Sequence, residues 1–113
     1  MKIAISSTGK NIDDKIDETF GRCPYFIIVE IKDGKIGKIE TIENENINQT
    51  TGAGVSTAQL VAEKEVEAII TGNVGPRALD VLNQFNIKIY TGKGSIKEAI
   101  NSFINNELEE IKK

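Results

Sequence analysis

A chain of 113 residues, 39% of them hydrophobic, has the material for one packed domain and too little for two of ordinary size. Its net charge of −3 leaves no basic surplus to neutralise a phosphate backbone, and no apolar run approaches the roughly 20 residues that cross a bilayer, so nucleic acid and membrane are not expected partners. One cysteine and no histidine rule out an intrachain disulfide, a zinc site built from several cysteines and histidines, and any Ser-His-Asp or Cys-His catalytic arrangement; with no signal-peptide pattern at Met1-Lys2-Ile3, the expected location is the cytoplasm.

Lys2 to Ser6 sets Ile3 and Ile5 around a small alanine and runs into Ser6-Ser7-Thr8-Gly9, the pattern of a strand ending in a loop. A polar stretch follows with Asp13, Asp14, Asp17 and Glu18. Tyr25 to Ile31 is β-branched and aromatic, Lys35 to Ile42 is rich in isoleucine, and Asp33-Gly34 between them predicts a hairpin with a type I′ turn. Ile36 and Ile39 have opposite parity, which marks Gly37 as a bulge. Glu43 to Thr51 reads as a long Asn-rich loop leading into Gly52-Ala53-Gly54. Beyond it Val55, Ala58, Val61 and Ala62 share one helical face, with Leu60 off it.

Ala68-Ile69-Ile70-Thr71 is a short strand of the buried kind, closed by Gly72-Asn73-Val74-Gly75-Pro76. Pro76 suits a first helical position, and Ala78, Leu79, Leu82 and Phe85 form the stripe behind it. Ile87 to Tyr90 is a third such strand. Gly92-Lys93-Gly94 joins it to Ser95-Ile96-Lys97-Glu98, a capping box whose helix is expected to carry its inner face through Ile96, Ala99, Ile100, Phe103 and Ile111, with Glu109 to Lys113 frayed. The whole predicts a single α/β domain over residues 1–113: five strands in a mixed sheet, ordered 3-2-1-4-5 as in ribonuclease H-like folds, flanked by three helices. Metal-dependent nucleases of that fold need carboxylates projecting from the sheet, and Lys2 to Ser6 has none.

In such sheets ligands collect at the carboxyl ends of the parallel strands. The loops expected there are Ser6 onward through Glu-Thr-Phe-Gly-Arg-Cys-Pro-Tyr at 18–25, then Gly72 to Pro76 and Thr91 to Ser95, with Gly52-Ala53-Gly54 beside them. Glycines at helix N-termini let amides reach an anion, and they also serve as plain turns and caps. Gly92-Lys93-Gly94-Ser95 falls short of the phosphate-loop spacing. The four acids are expected to face solvent or cap turns, since no carboxylate in the parallel strands completes a cation site. Cys23 has two readings: a small buried hydrophobe, or a thiol drawn toward the thiolate by Arg22.

Phe20-Gly21-Arg22-Cys23-Pro24-Tyr25-Phe26, Gly52-Ala53-Gly54 and Gly72-Asn73-Val74-Gly75-Pro76 with Ala78, in this order, resemble the dinitrogenase iron-molybdenum cofactor biosynthesis family, the NifX-like group that includes the C-terminal region of NifB. The resemblance covers nearly the whole chain. It implies a small ribonuclease H-like domain that binds and carries an iron-sulfur or iron-molybdenum cluster precursor without being an enzyme. The implied binding residues are Phe20, Gly21, Arg22, Cys23, Gly52, Ala53, Gly54, Gly72, Asn73 and Gly75, with Cys23 as the one thiolate ligand to metal and Arg22 as counter-charge. Many relatives have a histidine before the Phe-Gly pair, where this chain has Thr19. Implied partners are proteins that donate or accept a metallocluster. The assembly expected is a monomer or a weak homodimer through the hairpin edge. The alternatives are a structural or regulatory partner domain without a cluster, and an enzyme acting on a small anionic metabolite.

Overall fold

The structure, a computed structural model, describes residues 1–48 and 51–112; Gln49 and Thr50 of the expected long loop and Lys113 of the expected frayed end lie outside the described residues. Its elements in chain order are β1 (Lys2–Ser7), β2 (Tyr25–Lys32), β3 (Lys35–Glu43), α1 (Ala53–Ala62), β4 (Ala68–Thr71), α2 (Pro76–Gln84), β5 (Lys88–Thr91), α3 (Ile96–Ile104) and β6 (Glu109–Ile111). The sheet order is β3-β2-β1-β4-β5-β6. β1, β4 and β5 run parallel to their neighbours in that set, and β2, β3 and β6 pair antiparallel.

Alternation assigns each side chain to a face of this sheet. Ala4, Phe26, Ile28, Ile69 and Ile89 point to one side, where α1 and α2 cover them through Ala58, Val61, Ala78 and Leu82. Ile3, Ile5, Ile27, Val29, Ala68 and Ile70 point to the other, where α3 closes over them through Ile96, Ala99 and Ile100. β1 and β4 are therefore buried on both faces, which is why they read as nearly continuous apolar runs.

The hairpin forms as expected. Asp33 and Gly34 both have positive φ, 54° and 74°, as a type I′ turn requires. The β2–β3 register steps from Val29↔Ile39 to Ile31↔Ile36, so Gly37 and Lys38 together oppose Glu30, and the bulge lies at Gly37.

Three expectations are corrected. The sheet has six strands, not five: the chain leaves α3 at Ile104, turns through Asn106 at a φ of 58°, and returns as β6, with Ile111 opposite Ile89. Ile111 therefore belongs to a strand against the α1/α2 core and not to the inner face of α3, and residues 109–111 are paired, not frayed. Phe85 is the C-cap of α2 and is 55% exposed, so the stripe of that helix ends at Leu82. A turn follows directly, with Asn86 at a φ of 59°.

Candidate functional site

The parallel strands end at Ser7, Thr71 and Thr91, and the loops leaving them go to different sides of the sheet. On the α1/α2 side, Phe20 and Gly21 face Gly52, Gly54 and Val55 at the start of α1 and Gly75, Pro76, Arg77 and Ala78 at the start of α2, around a cleft of about 330 Å³. Two helices thus open into one hollow. Gly52 and Gly75 are their N-caps and offer no side chain to the first-turn amides, so the positive ends of both helix dipoles are presented to the cleft.

Small residues make this convergence possible. A Cβ on Gly21 would lie 3.0 Å from Gly54 Cα and 3.1 Å from its nitrogen, and one on Gly54 would lie 3.3 Å from Ala78 Cβ. Gly21, Gly54 and Ala78 are thereby a ladder of close approach between the loop and both helices. Gly52 and Gly75 differ, since a Cβ on either would meet nothing within 4 Å. Gly52 needs its glycine for a φ of 72°, whereas Gly75 at −70° does not.

The remaining expected residues serve this cleft indirectly. A Cβ on Gly72 would lie 2.7 Å from Glu18 Cα, so that glycine lets the 16–20 segment lie against the end of β4. Asn73 continues the contact: its carbonyl accepts from the Phe20 amide at 3.1 Å, beside a parallel bridge between Thr19 and Asn73. Thr19 donates through Oγ1 to Asp17 Oδ1 at 2.8 Å. Ala53 is buried in the first turn of α1. Arg22 does not line the cleft; its Nη1 donates to the Ile47 carbonyl at 3.0 Å. The cation at the cleft is Arg77, exposed and without an ion-pair partner among the described residues. Sequence reasoning passed over Arg77, although its place between Pro76 at a helix start and buried Ala78 was a signal.

The Thr91–Ser95 loop is not part of this cleft. It lies on the α3 side, where the Ile16 amide donates to the Gly94 carbonyl and Lys15 bridges Ser95. Asp14 and Asp17 brace turns in the facing loop, accepting from the Asn11 and Thr19 amides at 2.9 Å each. Among the described residues no three His, Cys, Asp or Glu side chains stand together as a metal site. A second hollow, of about 290 Å³ between Met1, Ile31, Tyr90, Phe103, Asn106 and Leu108, is of mixed polarity and has no helix N-terminus.

Cys23 departs from the expected thiolate. It is fully buried among Phe20, Phe26 and Ala58, and its Sγ–H donates to the Phe20 carbonyl at 3.3 Å. Burial, helped by the negative charge of Asp17, pushes the thiol up from 9.0 to about 12, opposite to the lowering expected from Arg22. A neutral thiol inside the core is no ligand to a cluster in the cleft. Its place in the site is to fill space behind Phe20, which packs edge-to-face on Phe26 with ring centroids 5.4 Å apart.

Comparison with known proteins bears on the family and the fold. The family model for dinitrogenase iron-molybdenum cofactor matches residues 1–106. An uncharacterised protein of Methanocaldococcus jannaschii is 39% identical over 111 residues, covering 96% of this chain and 94% of its own. The apo form of the orange protein from Desulfovibrio gigas superposes with a TM-score of 0.88 at 26% identity, over 97% of this chain and 92% of that one. A Thermotoga protein provisionally described as NifB follows the same fold with a TM-score of 0.82 at 34% identity, over 96% and 91% of the two chains.

Proposed function

This chain belongs to the dinitrogenase iron-molybdenum cofactor family, and we propose that it is a non-enzymatic carrier whose cleft holds an anionic iron-molybdenum or iron-sulfur precursor as cargo. The observation that carries this reading is the convergence of two glycine-capped helix N-termini and Arg77 on one hollow of about 330 Å³. Such a site attracts negative charge through amides and one guanidinium. The chain has no histidine, and among the described residues the cleft lining includes no carboxylate to act as a general base. With Cys23 sealed in the core, cargo is held by hydrogen bonds and charge and not by a metal–sulfur bond to the protein. Attachment of that kind is reversible, which suits exchange with a cytoplasmic donor or acceptor protein better than permanent storage. The ribonuclease H-like description belongs to the same proposal, with the order 3-2-1-4-5 kept and β6 added at one edge.

Anaerobic titration with tetrathiomolybdate, a soft dianion of molybdenum and sulfide, tests the reading. Saturable uptake is expected, unchanged in Cys23→Ala and weakened in Arg77→Ala. No uptake by the native protein overturns it, and tighter binding of inorganic phosphate moves the cleft to a site for a small anionic metabolite.

A further inference from the structure

The wall of the cleft is fastened at one atom. The Gly21 carbonyl accepts from Thr57 Oγ1 at 3.1 Å and from Asn44 Nδ2 at 3.3 Å, one from the buried side of α1 and the other from the residue after β3. Asn44 is 3% exposed. Its second donated bond goes to the Cys23 carbonyl at 2.9 Å, its Oδ1 accepts from the Asn46 amide at 3.1 Å and from Asn46 Nδ2 at 3.2 Å, and that oxygen, 3.3 Å from Thr57 Oγ1, shares the one hydroxyl proton of Thr57 with the Gly21 carbonyl. Both donors and the acceptor of a buried amide are thus used to join three segments: residues 21–23, residues 44–46 and α1. Nothing in the composition of the Asn-rich loop distinguishes Asn44 from its neighbours.

We infer that Asn44 and Thr57 are positioning residues for the cleft, fixing the Gly21 carbonyl so that Phe20 and Gly21 stand at a set distance from the amides of Gly54. The inference rests on the carrier reading for its functional meaning and on the Gly21–Gly54 contact for its geometry. An Asp at position 44 would keep the shape and turn two donors into acceptors facing two carbonyls. A Val at position 57 would keep the shape and remove one hydroxyl. Released from that hydroxyl, the 20–23 loop is free to move away from α1, and preorganisation of the cleft is lost while the sheet is untouched.

Because Asn44 variants risk failing to fold, the primary test is Thr57→Val, with Thr57→Ser as the variant that restores the hydroxyl. In ¹⁵N-labelled protein without any ligand, Thr57→Val is expected to shift the Gly21, Arg22 and Gly54 amide resonances and to lower backbone order parameters at 20–23 from about 0.85 toward 0.6. Those of Ala99 and Ile100, across the sheet, should stay as in the native protein, and Thr57→Ser should return the loop to native values. A residue that contributes only to global stability leaves native-state order parameters unmoved. Tetrathiomolybdate affinity is expected to fall about two- to tenfold, the worth of one neutral hydrogen bond. Unchanged order at 20–23, or equal change at Ala99 and Ile100, overturns the inference. If the native protein takes up no tetrathiomolybdate, the carrier reading fails, and the amide data alone still decide on the clamp.

Discussion

Helix α3 and the pair α1 and α2 start alike in sequence and differ in space. All three follow glycines at the carboxyl ends of strands or at a loop. At α3 the first-turn amides are already taken: Ile96 donates to the Asp14 carbonyl at 2.8 Å, Lys97 to the Ile12 carbonyl at 2.9 Å, and Glu98 to Ser95 Oγ at 3.1 Å. At α1 and α2 the N-caps are glycines with no side chain to give, and both first turns line one cleft. A glycine-rich helix start is therefore no sign of a site in itself. The difference is that, among the described residues, neither a loop nor a side-chain cap takes the first-turn donors of α1 and α2.

That contrast can be broken at several points. The largest effect is expected at the base of the open side, where Gly72→Ala sets a Cβ against the Glu18 backbone and cannot be relieved by a side-chain rotation. It should cost about 1–3 kcal/mol by urea denaturation, in the range of overpacked cores. Gly75→Ala, with open space around its Cβ, should stay within about 0.5 kcal/mol in the same assay. If the two behave alike, close approach is not what these glycines are for.

Next in size is Arg77→Ala, which should weaken tetrathiomolybdate binding about tenfold at low salt, as for loss of one charged hydrogen-bond donor, with the urea midpoint unmoved. Arg22→Ala should do less, since that guanidinium is directed to the Ile47 carbonyl.

On the closed side, Ser95→Ala removes the α3 cap and should lower stability by about 1 kcal/mol. Uptake should not change. A loss of uptake would mean that the two helix starts are coupled and the contrast between them is false.

The smallest effect concerns pH. The folded Cys23 thiol is raised to about 12 from 9.0, so the unfolded chain releases this proton first as pH rises. Its contribution is fully present below pH 9 and declines from there toward 12. The native protein should lose somewhat under about 1 kcal/mol more than Cys23→Ala between pH 8 and 9.5, measured as the difference between their urea curves. A thiol reagent at pH 8 should label Cys23 only in denaturant. Rapid labelling of the folded protein would return Cys23 to the cleft.

Much of this was legible in the chain. Alternating or continuous β-branched runs placed five strands, Asp33-Gly34 placed the hairpin, and the Phe20-Gly21, Gly52-Ala53-Gly54 and Gly75-Pro76 stretches marked three pieces of what became the cleft wall. β6 was not legible, because Glu109-Glu110-Ile111 is too short and too charged to signal a strand until β5 offers it an edge. Asn44 was hidden among polar neighbours, and its burial depends on Gly21, Cys23 and Thr57, which are distant in sequence.

The sequence by itself determined every element but β6, their order in most of the sheet, and the absence of histidine and of any second thiol, because these depend on local pattern and composition. Only the tertiary structure decided which glycine loops share a side, which cation stands at the cleft, and that Cys23 points inward. Those outcomes follow from long-range packing: the alternation of β2 commits Phe26 to the α1/α2 face, Phe20 packs on it, and the cysteine three residues after Phe20 is carried into the core with it.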